Sequence, residues 1–155
     1  MRFPRFSLLP LFLMAGIRLC LGAPAELSAQ EGDEVDPASR IGLSLEELVA
    51  GRGVPESVYA VRGGEDWQDD VVFVYPDGDY YIYRDRVWQL GLQSAYGIKV
   101  GDRETLIPLV LEDTIRRFEG YAICSLPGRA WPLSIRFNVD EKGIITHIFI
   151  YRPDF

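Results

Sequence analysis

Few residues of this 155-residue chain have the types and spacing that chemistry needs. His147 is its single histidine, and Cys20 and Cys124 are its two cysteines. A zinc site takes three or four nitrogen or sulfur ligands, and a hydrolytic triad needs a histidine held between a nucleophile and an acid. The sequence contains no strand-turn-helix nucleophile elbow and no glycine-rich phosphate loop. We therefore expect no catalytic residue, no metal site and no cofactor, and we predict that the chain is not an enzyme.

Acidic side chains are the remaining candidates for chemistry. Five aspartates cluster in predicted loops at one end of the first half of the chain: Asp66, Asp69, Asp70, Asp77 and Asp79. Calcium takes six or more oxygen ligands at set spacings, and the EF-hand pattern is absent. Solvated loops are the simplest interpretation, and the alternatives are an irregular calcium site or a carboxylate pair for glycoside cleavage.

A stronger pattern is aromatic. In the predicted strands, apolar side chains occupy both faces, which is more than a sheet that meets water on one side requires. Tyr and Trp offer a large contact area with few rotatable bonds and are enriched in interface hot spots. The alternative is that other parts of the chain cover this second face. We predict that a protein partner binds the aromatic residues of one face, namely Tyr81, Tyr83, Trp88, His147, Phe149 and Tyr151.

The first 29 residues have the pattern of a signal peptide. Two arginines precede a ten-residue apolar run, Leu8 to Ile17, which is too short to span a membrane. Small residues near Ala25 and Ala29 offer cleavage sites. In the alternative interpretation Cys20 is lipidated, although the residue before it is Leu19 rather than a small one. We predict an exported protein, periplasmic or envelope-associated, that meets a membrane only if Cys20 carries lipid.

The charge of the chain bounds its partners. The formal charge is −7, and removal of the leader, with three arginines and one glutamate, takes it to −9. Nucleic acids and anionic lipids require a basic face, so neither is expected as a partner. An acidic rim around the aromatic residues favours an envelope or secreted protein with a basic surface.

The elements that position these residues follow from local patterns. Residues 30–40 are acidic and poor in large apolar side chains, which predicts a disordered spacer. Ser44 and Glu47 form a capping box at the start of a helix. Strands are predicted at 71–75, 79–83 and 86–92 in the first half, and at 121–125, 133–139 and 144–151 in the second. A second helix is predicted to begin at Asp102 and to carry its apolar stripe through Leu106, Leu109, Val110, Ile115 and Phe118.

The two halves have a matching layout. Asp102 follows Ser44 by 58 residues, and Ile144 follows Arg86 by the same interval. We therefore predict an α+β domain over residues 41–155, with half-repeats 41–97 and 98–155. Each half would be a helix plus a three-stranded antiparallel sheet, with the helices packed on one face.

Short motifs in this layout resemble a known family. Gly42–Leu48, Val54–Ser57, Arg84–Val87 and Gly101–Asp102 are similar to the BamE/SmpA outer-membrane lipoproteins. Two such units in tandem resemble the layout of the beta-lactamase inhibitor protein (BLIP-like) fold. The resemblance implies a helper in outer-membrane protein assembly or an enzyme inhibitor.

These patterns together predict an exported, non-catalytic interaction module of the cell envelope that binds a protein partner through its aromatic sheet face. The alternatives are a periplasmic protein that binds a small ligand between sheet and helices, or a secreted enzyme inhibitor.

Overall fold

The computed structural model of the chain describes residues 36–62, 70–111 and 115–154. All of them belong to one compact unit. The predicted signal peptide, with Cys20, lies outside the described residues, as do the first part of the predicted spacer and most of the acidic loop before Val71. Among the described residues, no helix has the length and apolar character that crossing a bilayer would take.

Ten strands and two short helices make up the described chain. The helices are α1 (Leu45–Arg52) and α2 (Ile107–Val110). The strands are β1 (Ser57–Val61), β2 (Asp70–Tyr75), β3 (Gly78–Tyr83), β4 (Arg86–Leu92), β5 (Ser94–Ala95), β6 (Ile98–Lys99), β7 (Ile115–Phe118), β8 (Tyr121–Leu126), β9 (Leu133–Val139) and β10 (Ile145–Tyr151).

Eight of these strands form one antiparallel sheet in the order β1-β2-β3-β4-β10-β9-β8-β7, and β5 and β6 pair as a separate ribbon. Hairpins connect β2 to β3, β3 to β4 and β9 to β10, as the turn residues predicted. The pairing of β4 with β10 joins the two halves of the chain, so that their strands share a single sheet.

The predicted fold class, a tandem α+β repeat of helix plus three strands, is wrong. The protein is mainly β, and each half contributes four strands to one continuous sheet instead of three to a unit of its own. The extra strands, β1 and β7, lie at the two edges. An edge strand is defined by the neighbour with which it pairs, and short segments of this kind carry little periodicity of their own.

The second helix differs more from its prediction than any other element. Ile115 and Phe118, expected on its apolar stripe, lie in β7, where Ile115 pairs with Cys124 and Phe118 with Tyr121. α2 has only four residues, and Pro108 occupies its first turn. The carboxylate of Asp102 caps no helix; it accepts a hydrogen bond from the backbone N–H of Lys99 at 2.8 Å. The spacing of Ile115 and Phe118 fits a helix, but pairing with β8 makes this segment a strand.

The first helix begins where the sequence predicted. The Ser44 hydroxyl accepts from the N–H of Glu47 at 3.1 Å, and the Glu47 carboxylate accepts from the N–H of Ser44 at 2.8 Å. This capping box satisfies backbone donors that have no partner inside the helix. α1 ends at Gly53, whose φ of +78° suits glycine. Leu48 is its one fully buried residue, and the N–H of Leu45 donates to the carbonyl of Asp85 in the β3–β4 turn at 3.1 Å.

The core lies between the helices and one face of the sheet. Cross-strand register places Tyr80, Leu90, Ile150 and Ile135 side by side on β3, β4, β10 and β9. All four are fully buried. Alternation along each strand sends the intervening side chains to the opposite face.

The folded region begins earlier than the predicted boundary at Ile41. Pro37–Arg40 forms a 3-10 turn, and Ala38 is buried in the core. The carboxylate of Asp36 accepts a hydrogen bond from the Tyr96 hydroxyl at 2.7 Å and forms an ion pair with Arg129. Partial burial opposes ionisation of Asp36, but these hydrogen bonds outweigh it and hold its pKa below the usual value. Residues 36–40 are therefore part of the domain and not of a spacer.

Candidate functional site

The sheet has a second face, opposite the one on which the helices pack. Register places Tyr59, Val72, Tyr81, Gln89 and Tyr151 in one row of this face. The neighbouring row contains Asp79, Gly91, Phe149 and Arg136. We call this surface the aromatic face, defined by these two rows together with Trp88 and His147.

The structure brings five of the six predicted partner-binding residues together on this face. The rings of Tyr81 and Phe149 meet edge to face with centroids 6.5 Å apart. His147 and Phe149 stack with centroids 6.0 Å apart. Trp88 and Tyr151 line the same cavity as Phe149. Three strands, β3, β4 and β10, therefore direct these five aromatic residues to one continuous surface.

Tyr83 is the member that lies apart. It shares its strand face with Tyr81, but neither cavity of the aromatic face includes it. Its ring instead lies beside the guanidinium of Arg84, 5.1 Å from ring centroid to Cζ. A β-bulge between Tyr81 and Ile82 shifts the register before the Tyr83–Arg86 pair.

Two cavities lie on the aromatic face, and Phe149 borders both. The first has a volume of about 480 Å³ and the second about 350 Å³. The first is lined by Trp88, Gln89, Arg136, Asn138, Phe149, Tyr151, Arg152 and Pro153. The second is lined by Tyr59, Gly78, Asp79, Tyr81, Gly91, Leu92, Gln93, Val100, Thr146, His147, Ile148 and Phe149. Phe149 is the side chain that separates them.

Gly91 makes room in this surface, and the sequence patterns did not single it out. A Cβ at this position would stand 3.4 Å from Phe149 Cε1, 3.5 Å from Asp79 Cβ and 3.6 Å from Tyr81 Cε2. A glycine inside a strand often marks the close approach of another group, and here its missing side chain leaves a notch between three walls. The signal available in the sequence was a glycine inside a predicted strand, residues 86–92.

Charge is distributed unevenly along the aromatic face. In the first cavity, Arg136 donates to the Asn138 side-chain oxygen at 2.7 Å and lies 4.0 Å from the centroid of the Tyr121 ring. No carboxylate in the described ranges pairs with Arg136. The second cavity contains Asp79, which accepts from the Tyr59 hydroxyl at 3.4 Å. Asp79 thus lines the second cavity and Arg136 the first, where the Asp70 carboxylate also accepts a hydrogen bond from the Trp88 indole.

Two hydroxyls near Asp79 are held in their neutral form. Burial, followed by the Tyr59 ring and the Asp79 charge, raises the pKa of Tyr81 to about 12. Burial and Asp79 also raise the pKa of Tyr59. Both phenols therefore remain protonated hydrogen-bond donors to a higher pH than a tyrosine in water.

His147 and Cys124, the residues with most reactive potential, lie on opposite faces of the sheet. Cys124 is buried in the core row beside Ile135, whereas His147 is exposed on the aromatic face. The His147 Nδ1 atom lies 3.2 Å from the hydroxyl of Thr146, its neighbour in the chain. Among the described residues, no His, Cys, Asp or Glu side chains gather in a group that could hold a metal ion.

Asp77, one of the five clustered aspartates, is occupied by other contacts. Arg40 and Arg52 both form ion pairs with its carboxylate, and the Tyr80 hydroxyl donates to it at 3.0 Å. The guanidinium of Arg52 also lies about 5.4 Å from the centroid of the Tyr80 ring. Asp77 thus ties the β2–β3 turn to the end of α1 and to the 3-10 turn. Asp66 and Asp69 lie outside the described residues.

Comparison with known proteins shows a likeness at the level of fold. No family model matches the chain, and no curated protein matches it. Its structure resembles an extracellular protein containing a SCP domain from Bacillus anthracis strain Ames, with a TM-score of 0.54 and 10% identity. The match covers 85% of this chain but only 50% of that one. The likeness therefore concerns fold and about half of the other protein. The predicted membership in a BamE/SmpA-like tandem with a BLIP-like layout is wrong.

Proposed function

We propose that this chain is an exported, non-catalytic binding module that docks a segment of an envelope or secreted protein on its aromatic face. The observation that carries the proposal is Phe149, which stands between two cavities and contacts the rings of Tyr81 and His147. The site offers contact area and hydrogen-bond donors.

The energetic argument rests on aromatic side chains that the fold has already positioned. Tyr81, Trp88, Phe149 and Tyr151 are each half-buried by strand neighbours, so little rotamer freedom remains for a partner to freeze. The Trp88 indole is fixed further by its hydrogen bond to the Asp70 carboxylate at 2.9 Å. Preorganised aromatic anchors of this kind make effective interface hot spots.

The charges give the docked segment a direction. Asp79 lies in the second cavity and Arg136 in the first, with Phe149 between them. A partner segment with an apolar side chain at Phe149, a basic group toward Asp79 and an acidic group toward Arg136 fits both ends. Complementary charges of this kind set orientation and association rate more than affinity.

Export is supported by two independent observations. The leader pattern over residues 1–29 is typical of a signal peptide. The protein that this chain resembles in fold is itself extracellular. Both favour a partner in the envelope or outside the cell.

The test expresses tagged full-length proteins in their native cells, crosslinks them and identifies the captured partner. The affinity of that partner for each variant is then measured with purified components. Phe149→Ala should weaken binding at least tenfold, because it removes the ring shared by both cavities. Gly91→Ala should weaken it by filling the notch, while leaving the strand intact or slightly more stable. Leu109→Ala, which changes a 76% exposed apolar residue on α2, is the matched control and should bind normally.

Charge reversal tests the direction of docking. Arg136→Glu and Asp79→Lys should each slow association, and the effect should shrink at high salt. A partner that binds wild type, Phe149→Ala and Gly91→Ala with equal affinity would overturn the proposal. A small molecule that copurifies with the protein and is released by Phe149→Ala, with no protein partner, would replace it with the small-ligand alternative.

A further inference from the structure

The two edges of the eight-stranded sheet differ in chemistry. β7, at one edge, carries the adjacent exposed arginines Arg116 and Arg117. Charged side chains on an edge strand discourage the addition of another strand. β1, at the other edge, has five exposed residues, and none of them is charged. Val58, Tyr59 and Val61 are 51%, 43% and 38% exposed. β1 thus has the composition of a strand that accepts a neighbour.

The sequence around β1 is complementary to itself in antiparallel register. If Tyr59 faces its own copy across a two-fold axis, Val58 lies opposite Ala60 and Ser57 opposite Val61. The same register places Glu56 of one copy opposite Arg62 of the other, twice. Glu56 and Arg62 are both exposed in the single chain. Shifting the register by two residues would lose both opposite-charge pairs.

From this complementarity we infer that β1 is a self-association edge, on which a second copy of this chain adds its own β1 antiparallel and centred on Tyr59. Backbone N–H and C=O groups on the outer side of an edge strand have no ladder partner within the sheet, and strand addition supplies one. The interface is isologous, so each residue contact occurs twice.

Pairing also buries apolar surface on the helix side of the sheet. Val58 and Ala60 point to this side, because Val58 shares a row with the core residue Tyr80 through Phe73. Val71, opposite Ala60 on β2, is 42% exposed. The second copy's Val58 and Ala60 would extend this apolar strip across the axis. The aromatic faces of the two copies would then lie on the same side of one sixteen-stranded sheet.

This inference goes beyond the proposed docking function. The two surfaces share Tyr59, but the residues that test them differ: Phe149 and Gly91 test docking, and Glu56 and Arg62 test the edge. Phe149→Ala leaves the edge intact, and changes at Glu56 and Arg62 leave both cavities in place, because neither residue lines them. The two tests therefore separate failure of one proposal from failure of the other.

The first experiment measures self-association of the exported, purified full chain by sedimentation over a concentration series. Wild type should dimerise reversibly. Glu56→Arg and Arg62→Glu should each weaken the dimer about tenfold, because each places two like-charge pairs at the axis. The double exchange Glu56→Arg/Arg62→Glu should restore the wild-type constant. A monomer at every concentration, or single variants that dimerise like wild type, would overturn the inference.

The second experiment reports the register. Opposed residues in an antiparallel pair have Cα atoms about 4.5–5.5 Å apart, within reach of a disulfide. Tyr59→Cys should therefore form an intermolecular disulfide under mild oxidation, since this position meets itself at the axis. Ser94→Cys, an exposed position on the β5–β6 ribbon, is the matched control and should crosslink slowly. Equal rates for the two variants would exclude pairing centred on Tyr59.

Discussion

At the scale of single residues, the fold assigns neighbouring tyrosines to different tasks. Tyr80 lies in the core, where its hydroxyl donates to Asp77, and Tyr81 lies on the aromatic face beside Phe149. Burial raises the pKa of both phenols to about 12, with Asp77 adding to the shift at Tyr80 and Tyr59 and Asp79 at Tyr81. Adjacent strand residues point to opposite faces, so the sequence Tyr-Tyr alone predicted this division.

The raised pKa values make the stability of the protein sensitive to alkali. A phenol whose folded pKa exceeds its unfolded value of about 10 contributes stability that is complete below pH 10 and is lost as pH rises toward 12. Urea unfolding of wild type should therefore show a larger fall in free energy between about pH 9 and about pH 11.5 than Tyr81→Phe shows. Equal falls in the two proteins would mean that Tyr81 titrates normally in the folded state.

At the scale of elements, the turns and the helix cap were predictable from the sequence, and the two edge strands of the sheet were not. The capping box at Ser44 and the hairpin at Asp140–Gly143 depend on residues within a few positions of one another. The two-residue turn at Arg84 and Asp85 also forms as expected, with φ of +46° and +66°. β1 was missed and β7 was interpreted as helix, because each strand exists only through pairing with β2 or β8.

The cap at Ser44 should matter more than its exposed position implies. α1 buries only Leu48 fully, so its local hydrogen bonds contribute a large share of the stability of the helix. Ser44→Ala should lower the free energy of unfolding by about 1 kcal/mol, equivalent to a fall of several degrees in Tm. Ser94→Ala, an exposed serine on β5, is the control and should change it by less than about 0.5 kcal/mol. A similar small change in both variants would show that the capping box adds nothing.

At the scale of the whole molecule, the β4–β10 pairing decides how the protein unfolds. Leu90 and Ile150 are opposed across this seam and both are fully buried. The core cluster runs through residues from both halves of the chain without a break. A continuous sheet and a continuous core predict a single cooperative transition for the described region.

Truncation of core residues on either side of the seam should therefore lower the same transition. Leu90→Ala on β4 and Ile135→Ala on β9 should each cost about 2–5 kcal/mol, through lost contacts and the cavity left behind. Chemical unfolding followed by circular dichroism and by tryptophan fluorescence should give coincident curves for both variants. A second transition that keeps the wild-type midpoint in Leu90→Ala would show that the two halves unfold separately.

The sequence by itself determined the local features: the capping box, the hairpin turns, most strands of the sheet and the alternation that puts His147, Phe149 and Tyr151 on one face of their strand. These features follow from residues close in the chain, whose spacing fixes side-chain direction. Only the tertiary structure decided that eight strands form one sheet, that Tyr81 and Trp88 join Phe149 on one surface, that Gly91 opens a notch there, and that Arg136 lines the first cavity. Each of these features depends on which distant strands become neighbours, and the pattern of a short segment does not predict its pairing partner.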